Sequence, residues 1–414
     1  MKVNPTITVV ILCLFANFTN AQLQPLTLNK AIEQGLKNNK EITISKLEID
    51  YQKKLKTANI EVPKTNISGQ FGQINSFNKS DTNFGITQTI PFPSVFSANT
   101  SLGNALIKSS ELKANINKNE LVYRIKQTYS NLQYLFAKQL LLSKQDSIFQ
   151  GFVKSAKLRF KTGESNLLEQ STAETQLYET QNILKENDVN IKIYLSQLQT
   201  LLGNSEPISI ADKQLLEQQF IVIDNEKISN FNPTLAFNQQ QIIVAENQKK
   251  LEKAKAFPDL TFGYFNQSLI GSPIDATNSN PATSNNRFQG FHLGIAIPII
   301  FSSYNAKIKA TNINKEIAKT NLENNQIILN GQYEQAILEF EKNKTSLQYY
   351  KTSGLPNADL ILSKSQSAYK KGEISYSENL FNLKTANGIQ EKYLTAILQY
   401  NQSITTLEYL LGKN

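Results

Sequence analysis

Few side chains in this sequence are equipped for chemistry. His292 is the only histidine and Cys13 the only cysteine, with one methionine and no tryptophan among 414 residues. Ser-His and Cys-His nucleophiles, like His- or Cys-ligated metal centres, draw on several such groups, so these classes are excluded and neither a metal site nor a cofactor is expected. A carboxylate-only enzyme remains formally open, since Asp and Glu number 34. The residues with informative spacing surround glycines instead. Arg159-Phe160-Lys161-Thr162-Gly163-Glu164 returns as Ala368-Tyr369-Lys370-Lys371-Gly372-Glu373, and Leu201-Leu202-Gly203 returns as Leu410-Leu411-Gly412, both at a spacing of 209 residues.

These echoes belong to a duplication of the whole chain. Thr89-Ile90-Pro91 pairs with Ala296-Ile297-Pro298 at an offset of 207, and Val62-Pro63 with Phe257-Pro258 at 195. The offset changes across one interval, where the polar stretch Asn266 to Arg287 is longer than its counterpart Asn75 to Asn83. Loops absorb such insertions. The order in each copy is a helix, a strand, a loop, a strand, and a long helical stretch broken at one glycine. The expected organisation is a signal peptide at 1–21, a first repeat at 22–203, a linker at 204–231 and a second repeat at 232–414.

The strand segments alternate. Ile67, Gly69 and Phe71 oppose Asn66, Ser68 and Gln70, while Phe84, Ile86 and Ile90 oppose Asn83, Gly85, Thr87 and Thr89. In the second copy Leu260, Phe262 and Tyr264 oppose Thr261 and Gly263, and Phe291, Leu293, Ile295 and Ile297 oppose His292, Gly294 and Ala296. Four segments of about 8 to 11 residues have the length of tilted transmembrane β-strands. A soluble sandwich shows the same alternation, and the helices argue against it. From Ser97 to Thr162 there is no proline, and Leu112, Ile116, Val122, Ile125, Tyr129, Leu132, Leu135 and Leu140 recur at helical spacing. Leu177, Leu184, Ile191 and Leu198 then keep a seven-residue step. At 1.5 Å per residue the stretches before and after Gly163 predict rods of about 90 and about 60 Å. Leu121, Phe136, Leu195 and Leu201 mark a second apolar face, as expected of helices flanked on both sides.

Composition fits an exported, partly water-exposed protein. Mean hydropathy is −0.34 and the net charge is +9. Lys2, the apolar run Ile7 to Phe15 and Thr19-Asn20-Ala21 read as a secretory signal, with Cys13 inside it. Cleavage after Ala21 leaves a chain without cysteine and with charge +8, Lys2 being the only charge lost. Scattered lysines read as solvated helix faces, and no nucleic-acid partner is expected. Four strands cannot close a barrel in lipid, where each open edge leaves unpaired backbone groups, so the chain must oligomerise. Three copies give twelve strands, with Phe71, Phe84, Phe262, Tyr264, Phe291 and Leu293 facing lipid and His292 toward the lumen.

The doubled order, the Ile-Pro after each second strand (Ile90-Pro91, Ile297-Pro298) and the aromatic-x-x-Gly of both helical breaks (Phe160 to Gly163, Tyr369 to Gly372) resemble the TolC family of outer-membrane efflux channels. The resemblance spans essentially the whole mature chain. It implies a mixed α/β, mainly α membrane protein: a trimer with a 12-stranded outer-membrane β-barrel continued by a long periplasmic α-helical barrel. It also implies a passive duct, not an enzyme, that partners a periplasmic adaptor and an inner-membrane pump. Pro63 to Thr89, with Pro91-Phe92-Pro93 and Arg159 to Glu169, resembles the CusC/CzcC-type channels of heavy-metal efflux, which implies a pump of the RND heavy-metal type. Drug-efflux and type I secretion channels share the architecture, and a secreted coiled-coil structural protein is the alternative outside the family. An adaptor would show one helical hairpin between β-domains, where this chain shows two hairpins and two strand pairs.

Site residues follow from the same resemblance. The turns at Gly163 and Gly372 correspond to adaptor-docking tips, with Arg159, Phe160, Leu167, Tyr369 and Tyr376 beside them. Tyr369 and Glu169 match a tyrosine–acid tie that closes the entrance, and Glu378 matches an acidic ring whose three copies repel around the threefold axis. The pattern is departed from at Ile374, where a second tie uses Arg, and at Phe381, where a further acid would lie. A weaker lock or an apolar constriction at Phe381 is the expectation.

Overall fold

The computed structural model describes residues 25–74, 77–219 and 232–413. The expected signal peptide and linker residues 220–231 lie outside the described residues. The elements are α1 (Leu28–Asn38), α2 (Lys40–Ala58), β1 (Asn66–Phe71), β2 (Thr82–Ile90), α3 (Pro93–Lys161), α4 (Leu167–Leu202), α5 (Pro233–Ala254), β3 (Asp259–Ser268), β4 (Arg287–Ala296), α6 (Ser302–Tyr349), α7 (Leu355–Lys370) and α8 (Tyr376–Leu410). They divide into two bodies, residues 1–42, 118–226 and 332–414, and residues 43–117 and 227–331.

The first body is helical. Ile42, Leu121, Ile125, Tyr129, Leu132, Leu198 and Leu202 form its core, each buried aliphatic side chain contributing roughly 1.5–3 kcal/mol. Leu201 is buried in this core and Phe136 and Leu195 pack on it, so the second-face residues fill the core of their own chain. Gly35 is the point of closest approach, because a Cβ there would lie 2.5 Å from Ile125. Asn39 separates α1 from α2. Its backbone is extended at ψ 133°, its Oδ1 accepts from Glu41 N–H at 2.8 Å, and its Nδ2 donates to Leu201 O at 2.9 Å, so the side chain replaces the helical bond it interrupts. Gly203 ends α4 at φ +62°, and a Cβ would meet Asn38 O at 2.7 Å. The described part of the expected linker packs here: Leu26 and Ile210 form a parallel bridge, and Tyr129 Oη donates to Leu26 O at 3.0 Å.

The second copy of the hairpin contains a feature that periodicity did not show. Between α6 and α7 the helix widens to a π-turn over Tyr350–Gly354. Pro356 has no N–H for the α-helical ladder and its ring crowds the preceding turn; the wider winding accommodates both.

The second body holds the sheet, in the order β1-β2-β3-β4, antiparallel throughout. The hairpins have the same register: Ile67 lies opposite Ile86, and Phe262 opposite Leu293. These are equivalent pairs, shifted by the 195 and 207 residues that separate the copies. Strand β1 has six residues, shorter than expected. Asn266 to Ser268 and Arg287 belong to β3 and β4, so the inserted loop is confined to 269–286. Below the sheet Val95, Ala98 and Leu102 of α3 pack on Leu251 and Ala254 of α5, and Phe92 stacks on Phe257 at 5.2 Å.

Candidate functional site

Both glycine turns carry the same backbone. Gly163 and Gly372 have φ +77° and +76°, values that a side chain disfavours. Glu164 N–H reaches Arg159 O at 2.8 Å and Glu373 N–H reaches Ala368 O at 2.9 Å, the six-to-one bond that satisfies a helix's last carbonyls. Each following helix is capped alike. Asn166 Oδ1 accepts from Glu169 N–H at 3.0 Å, and Ser375 Oγ accepts from Glu378 N–H at 3.2 Å. Both acids therefore occupy the third helical position, where a carboxylate favours the positive end of the helix.

Phe149, Phe152, Val153, Ala156, Ala173, Tyr376, Leu380 and Leu383 fill the core behind the turns. Phe152 stacks on Tyr369 at 5.3 Å and 14°. An open cleft of about 1480 Å³ borders it, lined by Arg159, Glu169, Tyr369, Tyr376, Phe381 and Lys384 among others.

Tyr369 and Glu169, expected to meet, are joined through a third residue. Arg159 Nη1 donates to Tyr369 Oη at 3.2 Å and to Glu169 Oε1 at 3.3 Å, and its guanidinium lies 5.9 Å from the Tyr369 ring centroid. The bond to Tyr369, followed by the charges of Glu169 and Glu164, raises the Arg159 pKa above its ordinary value. Arg159, expected among the docking residues, makes this bridge. Its sequence signal, the Arg four residues before Gly163, was visible; its direction was not.

Tyr376, expected among the docking residues, is buried in the core, and among the described residues its Oη has no hydrogen-bond partner. Burial first, then Glu169 and Tyr369, push its phenol up to about 12. Phe160, Leu167 and Phe381 are exposed at 43%, 58% and 69%, and Glu378 is exposed. Among the described residues no three His, Cys, Asp or Glu side chains gather where they would hold a metal ion.

The strands carry the other candidates. By their pairing, Ile67, Phe71, Phe84, Ile86, Phe262, Tyr264, Phe291, Leu293 and Ile295 share one face of the sheet. Phe291 and Leu293 are 85% and 78% exposed. The opposite face carries Ser68, Gln70, Thr87, Thr261 and His292, with Phe265 and Phe288 as apolar exceptions. No described helix is long and apolar enough to cross a membrane.

A helical hairpin and a β-hairpin, each given twice, with the four strands joined in one sheet open at both edges, define a class of internally duplicated proteins. Residues 226–413 match the family model of the outer membrane efflux proteins. The whole fold is similar to three solved structures. CusC, described for its transmembrane channel formation, is 16% identical over 96% of this chain and 95% of its own, with a TM-score of 0.76. The outer-membrane channel OprN is 13% identical over 94% and 90%, at 0.78, and the outer membrane protein VceC of Vibrio cholerae 14% over 93% and 96%, at 0.73. No curated protein matches the chain in sequence. The chain therefore shares the fold of these channel proteins, and its residues 226–413 are similar to the outer membrane efflux proteins.

Proposed function

We propose that three copies of this chain close a 12-stranded barrel in the outer membrane and continue as a helical barrel into the periplasm, forming the passive duct of a tripartite pump. The observation that carries this reading is the sheet itself: one face of exposed apolar side chains, one polar face, and two open edges in a TolC-family fold. Apolar side chains on one face suit lipid, and open edges in lipid require partners. The glycine turns, with Phe160, Leu167 and Gly372, dock a periplasmic adaptor that links the duct to an inner-membrane pump. The Tyr369–Arg159–Glu169 bridge, with Glu378 and Phe381, gates the entrance.

The cargo we infer is heavy-metal cations, on the likeness of Pro63 to Thr89 and Arg159 to Glu169 to heavy-metal efflux channels. Selectivity then resides in the pump, since soft cations are held by thiolate or thioether ligands and the mature chain has no cysteine. The test is deletion of the gene followed by growth in graded metal salts and organic drugs. Heightened sensitivity to metal cations, reversed by the wild-type gene, is the expected outcome. Sensitivity to drugs alone would replace the cargo while leaving the duct, and a chain that migrates as a monomer in mild detergent would remove the duct.

A further inference from the structure

The duplication carries an inference about the contact between copies. Inside one chain the first hairpin meets the second along β2 and β3, with Phe84 opposite Asn266, Ile86 opposite Tyr264 and Gln88 opposite Phe262. Because the two hairpins have the same register, β4 is the equivalent of β2 and β1 the equivalent of β3. We propose that β4 of one copy pairs with β1 of the next by repeating this internal junction, which sets Phe291 opposite Phe71, Leu293 opposite Gly69 and Ile295 opposite Ile67.

This rests on the closed-barrel reading and adds a register to it. Parity supports that register: it joins like face to like face, with Ile67, Gly69 and Phe71 meeting the apolar side of β4 and Asn66, Ser68 and Gln70 its polar side, whereas a slip of one residue would reverse the faces of one strand. All six residues of β1 find a partner on β4. The junction below the sheet agrees. Within the chain Phe92 stacks on Phe257; the equivalent positions are Ile299 and Val62, which are 90% and 49% exposed. Among the helices, Gln241 Nε2 donates to Ser109 Oγ at 2.6 Å, and the equivalents are Lys46 on α2 and Glu316 on α6, a pair of opposite charge. Val244 and Leu106 pack on the Val95–Leu251 cluster, and their equivalents, Ile49 and Ile313, are both apolar. The occupant of this face is thus a second copy of the chain, and its contact is head to tail, the kind that closes rings.

Paired cysteines test the register, because the chain's one cysteine, Cys13, lies in the expected signal peptide. β1 and β4 of one chain are separated by two strands, roughly 14 Å, beyond the reach of a disulfide. Ile67→Cys with Ile295→Cys, and Ser68→Cys with Gly294→Cys, should link chains into covalent trimers on oxidation. Ile67→Cys with Leu293→Cys, displaced by two residues, should link them poorly. Intact trimers linked best in the displaced register, or in none, would overturn the register alone; absence of any oligomer would overturn the barrel with it. In a parallel test that spares the strands, Lys46→Glu or Glu316→Lys should lower the heat resistance of the trimer in detergent, and the double exchange should restore it. A double exchange no better than either single one would overturn the helical part of the junction.

Discussion

The first and second hairpin turns share a backbone and differ in their side chains. Their glycines sit within a degree of each other in φ, their helices end in the same bond and restart on the same cap. Yet the first copy supplies Arg159 and an inward-turned acid, Glu169, whereas the second supplies the acceptor Tyr369 and an outward acid, Glu378. The positions equivalent to Arg159 and Tyr369 are Ala368 and Phe160, and Phe160 points outward. Duplication kept what backbone geometry requires. The bridge exists where the copies differ, because a guanidinium only donates and needs acceptors of another kind. The sheet repeats the lesson. Gln70 and Asn83 share an amide hydrogen bond at 3.2 Å in the first hairpin, and their equivalents are Phe265 lying over Gly290.

The strongest way to break this comparison is to remove the shared backbone. Gly163→Pro and Gly372→Pro each force φ to about −65° where about +77° is needed, and each should abolish complementation of an efflux-deficient strain while trimers still reach the outer membrane. Normal export by either variant would take that turn out of docking, and unequal effects would show that the turns are not equivalent partners.

Next is the unlike pair. Tyr369→Phe together with Glu169→Gln should raise single-channel conductance in planar bilayers, and Arg159→Gln alone should do as much, since it removes both bonds at once. At about 1 kcal/mol per bond, the open population should rise roughly 5- to 30-fold, and adding Arg159→Gln to the double variant should add little. Unchanged conductance in all three would sink the lock.

A smaller effect is expected in the sheet. The Cβ of Gly263→Ala would stand 2.0 Å from the His292 ring, whereas that of Gly294→Ala would stand 3.5 Å from Thr261. The first should lower the melting temperature by an amount equivalent to about 1–3 kcal/mol and the second should leave it nearly unchanged. Equal melting temperatures would show that the His292 ring moves aside freely.

The smallest concerns Tyr376. Its phenol titrates at about 12 in the folded chain and near 10 when unfolded. Its contribution to stability is therefore complete below pH 10 and is lost as pH rises from 10 to 12. Tyr376→Phe should remove one late-titrating phenol from the ultraviolet absorbance titration and leave folding at neutral pH intact or slightly firmer, since the hydroxyl is buried without a partner. An unchanged late phase would place Tyr376 in water.

The sequence by itself determined the duplication, the strand faces and the glycine reversals. Each of these is periodic or local: alternation of two, a helical step, or a residue with positive φ. Helix interruptions were less legible. Pro356 was visible, but whether a chain breaks, kinks or widens there depends on what packs beside it, and Asn39 breaks a helix only because Leu201 offers it a carbonyl. The tertiary structure alone decided the site. Phe160 and Tyr369 occupy the same place in the motif, and Tyr376 looks as exposed in sequence as Leu167. Which aromatic turns inward, and which acid Arg159 reaches, depend on helices brought together from some 210 residues apart in the chain, a proximity that no local pattern records.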